Sequence, residues 1–185
     1  MLEGEENLIK GASRGNTNDF DTLYSHYVAP IYRFIYMKVT HRQEAEDLTH
    51  EVFLSAWQNI TRYKSRGLPF SSWLYQIARN RVIDHYRLRK PNVGLDSIES
   101  NAELVKIQSS VESELDHNFS LEAIKSAIRK LTLNQQDVLI MKFMEDLSSQ
   151  EIAATLKKSE GAIRLIQHRA INELKKILNE GGNNL

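Results

Sequence analysis

Residues 70 to 90, FSSWLYQIARNRVIDHYRLRK, interleave rings and cations: Trp73, Tyr75 and Tyr86 lie among Arg79, Arg81, Arg87 and Arg89. Aromatic faces that stack on unpaired bases, beside guanidiniums that track phosphates, are the chemistry of a single-stranded nucleic-acid surface. Taken singly, each of these rings fits a hydrophobic core better than a stacking platform, and Trp57 is assigned to the core outright. On a helix, residues 70 to 90 make two stripes, an apolar one and a cationic one. Lys64 and Arg66 precede it in a loop marked by Gly67 and Pro69.

A second constellation is SSQEIAATLKKSEGAIRLIQHRAI. Ile152, Ala153 and Leu156 give a short helix an inner face, KKS makes a turn, and Ile163, Ile166 and Ala170 line the next helix. The small Ala153 suits two helices crossing near a right angle. This is a helix-turn-helix pattern. Ser159 can cap the second helix, whose start then fits a major groove. Arg164 and Gln167 are placed to meet base edges, with His168 beside them, while Lys157, Lys158 and Arg169 suit phosphates. A plain helical hairpin with a solvated basic face shares these features, and an exposed helical histidine is more often solvated than a base reader. The turn, the small residue and the basic outer face together favour DNA.

The elements that must position these groups follow from periodicity. A helix begins near Asp19 through Phe20, Leu23, Tyr24, Tyr27 and Val28, and Pro30 allows it to end or restart before IYRFIYMKV. In RQEAEDLTHEVFLSAWQNI, Ala45, Leu48, Val52 and Ala56 form an inner face, and Asp47, His50, Glu51 and Leu54 share a different one. Ser71 or Ser72 is placed to cap the helix that follows, with Phe70 as a hydrophobic staple. SLEAIKSAIRKL, NQQDVLIMKFME and SSQEIAATL are further amphipathic stretches. No strand alternation or repeat is present. The fold class is all-α: two small helical domains, 18–90 and 119–180, joined by a flexible acidic linker over 91–118. Residues 1–17 precede them and 181–185 form a tail.

Twenty-four basic and 24 acidic residues cancel, so bulk charge does not draw this chain to nucleic acid. The charge is sorted along the chain instead. Arg79 to Lys90 holds five Arg or Lys against Asp84, whereas Pro91 to His117 holds six acids against Lys106. The absence of cysteine excludes disulfides, thiolate metal sites and cysteine nucleophiles. No apolar run is long enough to span a bilayer, and MLEGEENLIK is unlike a secretory signal, so a cytoplasmic location is expected.

AEDLTHEVFLSAW, FSSWLYQIARNRVIDHYR and LSSQEIAATLKKSEGAIRLIQHRA, in that order, resemble a bacterial RNA polymerase sigma factor of the extracytoplasmic-function type, in the sigma-70 family. The resemblance covers roughly residues 18–90 and 120–178. It implies a factor that binds core RNA polymerase and directs it to promoters, melting the downstream (minus-ten) element with the N-terminal domain and reading the upstream (minus-thirty-five) element with the C-terminal one. By the same resemblance, Asp47, Leu48, His50, Glu51 and Leu54 meet the arginine-rich clamp helices of the largest polymerase subunit. Tyr63, Lys64, Ser65 and Arg66 match the loop that catches a flipped base. On the helix that follows, Leu74, Ile77, Ala78 and Val82 face the bundle, and Trp73, Gln76, Arg79, Asn80 and Arg87 fall on the downstream DNA face, with Asn80 where the family reads a base edge. A solvated Asn is the plainer account of that position. Upstream DNA falls to Lys157, Lys158, Ser159, Arg164, Gln167, His168 and Arg169.

The resemblance further implies a linker that passes through the polymerase toward its active site, and an anti-sigma partner, often a membrane protein, able to hold the factor at the membrane. It implies no catalytic residue, metal, cofactor or small-molecule substrate. Departures from the family pattern are Lys157 where the turn usually has glycine, Ala162 for threonine, Ile166 for arginine and Gln167 for an apolar residue. They imply a recognition helix slightly rotated or slid. Two other function classes compete. A stand-alone helix-turn-helix regulator would bind an operator as a dimer. A nuclease using His50, Glu51 and Asp84 lacks any recognisable ligand spacing.

Overall fold

The computed structural model describes residues 2–65, 68–89 and 117–182. The linker expected over 91–118 falls outside the described residues as far as 116, as does Arg66. Among the described residues all regular structure is helical, as the periodicities predict: α1 (Glu5–Ser13), α2 (Thr17–Tyr36), α3 (Arg42–Asn59) with a 3-10 turn (Ile60–Arg62), α4 (Phe70–Arg89), α5 (His117–Arg129), α6 (Leu133–Phe143), α7 (Ser149–Leu156) and α8 (Glu160–Gly182).

Several starts are written in local chemistry. The Asn16 side chain accepts from the Asn18 N–H at 3.0 Å and caps α2. Thr132 with Gln135, and Ser148 with Glu151, form reciprocal capping boxes at α6 and α7. Replacing Ser148 by alanine should lower stability by about 1 kcal/mol in a thermal melt.

Two expected boundaries differ. Helix α2 runs through Pro30 without a break. The proline removes one helical hydrogen bond at a cost of about 3 kcal/mol. Leu23, Tyr27, Ile31 and Phe34, however, form a continuous inner row, none more than 7% exposed, and each such side chain contributes about 1.5–3 kcal/mol when buried. Burial outweighs the lost bond. Helix α4 starts at Phe70, so Ser71 and Ser72 lie inside its first turn and do not precede it. The Phe70 N–H instead donates to Glu5 Oε2 of α1 at 3.4 Å.

One apolar core runs through both halves of the chain. Leu23, Phe34, Val52, Leu74 and Ala78 belong to the same cluster as Val138, Ile140, Met141, Ile152 and Ile163. Ile83 of α4 also packs with Leu133 at the start of α6. The two helical bundles that the sequence separates are therefore docked on each other, through α4 against α7, and through Arg79 of α4 and Lys38, just past the end of α2, against Asp137 of α6.

Candidate functional site

Helix α3 presents its acids as the spacing predicts. Ala45, Val52 and Ala56 are fully buried, whereas Asp47, His50 and Glu51 are exposed and Leu54 is 47% exposed. Leu48 is separated from that group. At 6% exposure it belongs to the core, because its turn of the helix points at the bundle, and it can only support the acidic face from beneath. The Glu51 carboxylate lies 3.8 Å from Arg81 of α4, a loose surface pair, and Gln43 donates to Asp47 at 3.1 Å.

The loop before α4 is held by aromatic packing. Phe70 is buried, and the rings of Tyr27, Tyr63 and Trp73 surround it at 5.2–5.7 Å. Tyr63 also lies 4.9 Å from Trp73 and donates weakly to the Leu68 carbonyl. Ser65 donates to the same carbonyl at 3.2 Å, and Lys64 and Ser65 stay exposed. These residues and Gln76 line a cleft of about 540 Å³ that Ala154 and Lys157 of α7 also border. Tyr75 is no stacking platform: it is 2% exposed with its edge on Phe34, and burial pushes its hydroxyl above the usual tyrosine range. Tyr86 is half-buried and its hydroxyl donates to the Lys38 carbonyl. Trp73 alone among the three is a partly open ring in the cleft wall.

Along α4 the two stripes fall as the spacing requires. Leu74, Ala78 and Val82 are buried. On the other side Asn80 and Arg87 are exposed, with Arg87 3.6 Å from Asp84, while Gln76 and Arg79 are partly covered. Their cover is the C-terminal half. Gln76 Nε2 reaches the Ala154 carbonyl at 3.5 Å, and Arg79 donates from Nε to Asp137 at 2.8 Å and from its terminal nitrogen to Asn134 at 3.2 Å.

Asp137 is the centre of this contact. Its side chain is 0% exposed, and its second oxygen receives the ammonium of Lys38, itself 1% exposed and 4.0 Å from the centre of the Phe34 ring. Burial pulls Lys38 below the ordinary lysine range, against the opposing pull of Asp137. Nearby, Arg33 grips Glu145 with two hydrogen bonds of 3.0 and 2.9 Å, which hold its guanidinium more firmly protonated. A buried ion pair such as Lys38 with Asp137 adds little net stability, since desolvation offsets attraction, but each partner is needed by the other.

Glu5 is a further group the sequence did not reveal. It is 8% exposed, and its carboxylate takes the Tyr27 hydroxyl as well as the Phe70 N–H. It thereby joins α1 and α2 to the start of α4, where a negative charge favours the helix dipole. Burial and the neighbouring carboxylate raise Tyr27 above the usual tyrosine range.

The helix-turn-helix forms from α7 and α8. Ile152, Ala153, Ile163 and Ala170 are buried between them and their neighbours, and Ser159 accepts from the Ala162 N–H at 3.2 Å as the cap of α8. Lys157, Lys158, Ser159, Arg164, His168 and Arg169 are exposed, Gln167 is half-exposed and Ile166 is packed inward. Arg164 pairs with Glu160 at 3.3 Å, and His168 lies 3.1 Å from Asn172. Lys157 adopts φ 53°, ψ 43°, the left-handed conformation that glycine occupies without strain. Lys157→Gly should therefore raise stability by about 1 kcal/mol, read in a thermal melt. A drop in stability would mean that the lysine side chain holds the turn.

His50, Glu51 and Asp84 do not assemble: Glu51 faces Arg81 and Asp84 faces Arg87. Among the described residues no cluster of three or more His, Asp or Glu side chains is arranged to hold a metal ion.

Comparison with known proteins bears on both halves. Family models described as Sigma-70 region 2 and Sigma-70, region 4 match residues 23–91 and 127–176. The ECF RNA polymerase sigma factor BldN of Streptomyces coelicolor is 34% identical over 92% of this chain, which spans 64% of BldN's length. The ECF RNA polymerase sigma factor SigW of Bacillus subtilis is 31% identical over 93% of this chain and 95% of its own. Among solved structures, CnrH in complex with the cytosolic domain of CnrY matches with a TM-score of 0.74 and 20% identity, over 96% of this chain and 98% of that one. At that identity the match bears on the fold.

Proposed function

Because this chain belongs to the extracytoplasmic-function sigma factors of the sigma-70 family, with regions 2 and 4 both present, we propose the division of labour among its faces. The acidic face of α3, through Asp47, His50, Glu51 and Leu54, binds core RNA polymerase at a surface rich in arginine. The cleft walled by Tyr63, Lys64, Ser65 and Trp73, with Arg66 beyond Ser65, takes a base flipped from the downstream element. Gln76, Arg79, Asn80 and Arg87 track and read that strand, and Lys157, Lys158, Ser159, Arg164, Gln167, His168 and Arg169 meet the upstream duplex. The observation that supports this most is the split of α4 into a buried stripe and a cationic one continuous with an aromatic-lined cleft.

The chemistry of transcription is then the polymerase's, and this chain acts by binding, without catalysis of its own, a cofactor or a small-molecule substrate. It works in the cytoplasm, where an anti-sigma partner covers the exposed α3 face and can hold it at the membrane. No helix among the described residues is long and apolar enough to cross a membrane. A stand-alone regulator is not favoured, since residues 23–91 match Sigma-70 region 2.

Asn80 gives the sharpest test of base reading. A side-chain amide both donates and accepts, so Asn80→Ala should change which base is preferred in the downstream element, measured by transcription from a library randomised there. An equal loss on every sequence would reduce Asn80 to a solvated residue.

A further inference from the structure

The promoter-facing stripe of α4 is occupied by the chain itself. Of Gln76, Arg79, Asn80 and Arg87 on that side of α4, two are taken: Gln76 by the Ala154 carbonyl and Arg79 by Asp137 and Asn134, and the neighbouring buried Ile83 packs on Leu133. Asn80 and Arg87 remain exposed at the margin. The group that engages Arg79 is a fully buried carboxylate held between two cations, the partly covered Arg79 and the buried Lys38. A carboxylate oxygen 2.8 Å from a guanidinium Nε makes the same charge-assisted contact as a phosphate oxygen.

We propose that the face of α6 centred on Asp137 is an internal docking surface for the DNA-facing stripe of α4, in which Asp137 stands where a strand phosphate would. The described arrangement is the closed form, and downstream DNA and the C-terminal domain compete for Arg79. The proposal rests on the reading of α4 as the downstream DNA face. Two further observations fit it. Ala154 and Lys157 of α7 border the cleft assigned to the flipped base, so undocking opens that cleft as well. The core of the contact, Lys38, Arg79 and Asp137, carries one surplus positive charge, and loss of the carboxylate exposes two cations to the incoming strand. Buried ion pairs yield little net stability, so the surface is suited to exchange one anion for another and not to permanent closure.

The chain has no cysteine, which makes a locking experiment clean. Ile83 and Leu133 pack together across the contact and lie outside the residues assigned to DNA. In full-length I83C/L133C, oxidation should form a disulfide and weaken binding of a dye-labelled oligo-dT strand by roughly tenfold, the loss expected when cationic phosphate contacts are withdrawn, and a reductant should restore it. Oxidised and reduced forms binding equally would overturn the proposal, and so would failure of the disulfide to form, since the two positions would then not be adjacent in solution. Asp137→Asn, which keeps the shape and removes the charge, should raise oligo-dT affinity by a similar factor and enlarge the particle in small-angle X-ray scattering. A chain that stays compact with unchanged affinity would overturn the docking surface. A chain that opens with unchanged affinity would instead overturn α4 as the DNA face.

Discussion

Glu51→Arg is expected to cut affinity for core RNA polymerase by about a hundredfold or more, because juxtaposing like charges at an interface costs several kcal/mol and each 1.4 kcal/mol is tenfold. Glu51 is exposed on α3 beside Asp47, and its contact within the chain is a loose 3.8 Å pair with Arg81. Exposed pairs of that kind are worth about 0–1 kcal/mol, so the fold should survive the reversal. Co-migration with core polymerase and a thermal melt, run together, separate the two effects. Glu51→Gln should lie between wild type and Glu51→Arg in affinity and melt with wild type. Unchanged binding by Glu51→Arg would remove this face from the polymerase interface.

Phe34→Ala should have the largest effect on stability, about 3–5 kcal/mol. Phe34 is 0% exposed, meets the edge of Tyr75 at 5.2 Å and carries the Lys38 ammonium on its ring. Truncation leaves a cavity and also removes the apolar and cation–π support of Lys38 at the contact between the two halves. In a chain of this size the thermal midpoint should fall by roughly 10–15 °C. Leu54→Ala, at a 47% exposed position, should change it little. A Phe34→Ala melt within a few degrees of wild type would contradict the packing described for α2.

What the sequence made legible depended on how local the cause is. The inner faces of α3, α4 and α7 are set by spacings of three and four, and Ala45, Val52, Leu74, Ala78, Ile152 and Ala153 fall inside as read. Ser159 caps α8 because its hydroxyl and the Ala162 N–H are three residues apart. Pro30 misled because the local penalty is visible in sequence, whereas the burial that overrides it is shared with other helices. Leu48 carried two readings, core and interface, and only packing separates them.

The contact between Lys38 and Asp137 spans 99 positions. A lone lysine in IYRFIYMKV and a lone aspartate in NQQDVLIMKFME give no sign of each other, although a cation inside so apolar a run hints at a buried partner. Glu5 is similar: its two ligands are 22 and 65 positions away. Contacts of this order are what join elements whose separate existence periodicity already predicts.

The most direct test is transcription from a promoter library by core bacterial RNA polymerase, with and without this protein. New starts at promoters sharing two spaced sequence elements, lost with Glu51→Arg, are the predicted result. No new starts, together with failure to co-migrate with core polymerase, would contradict it.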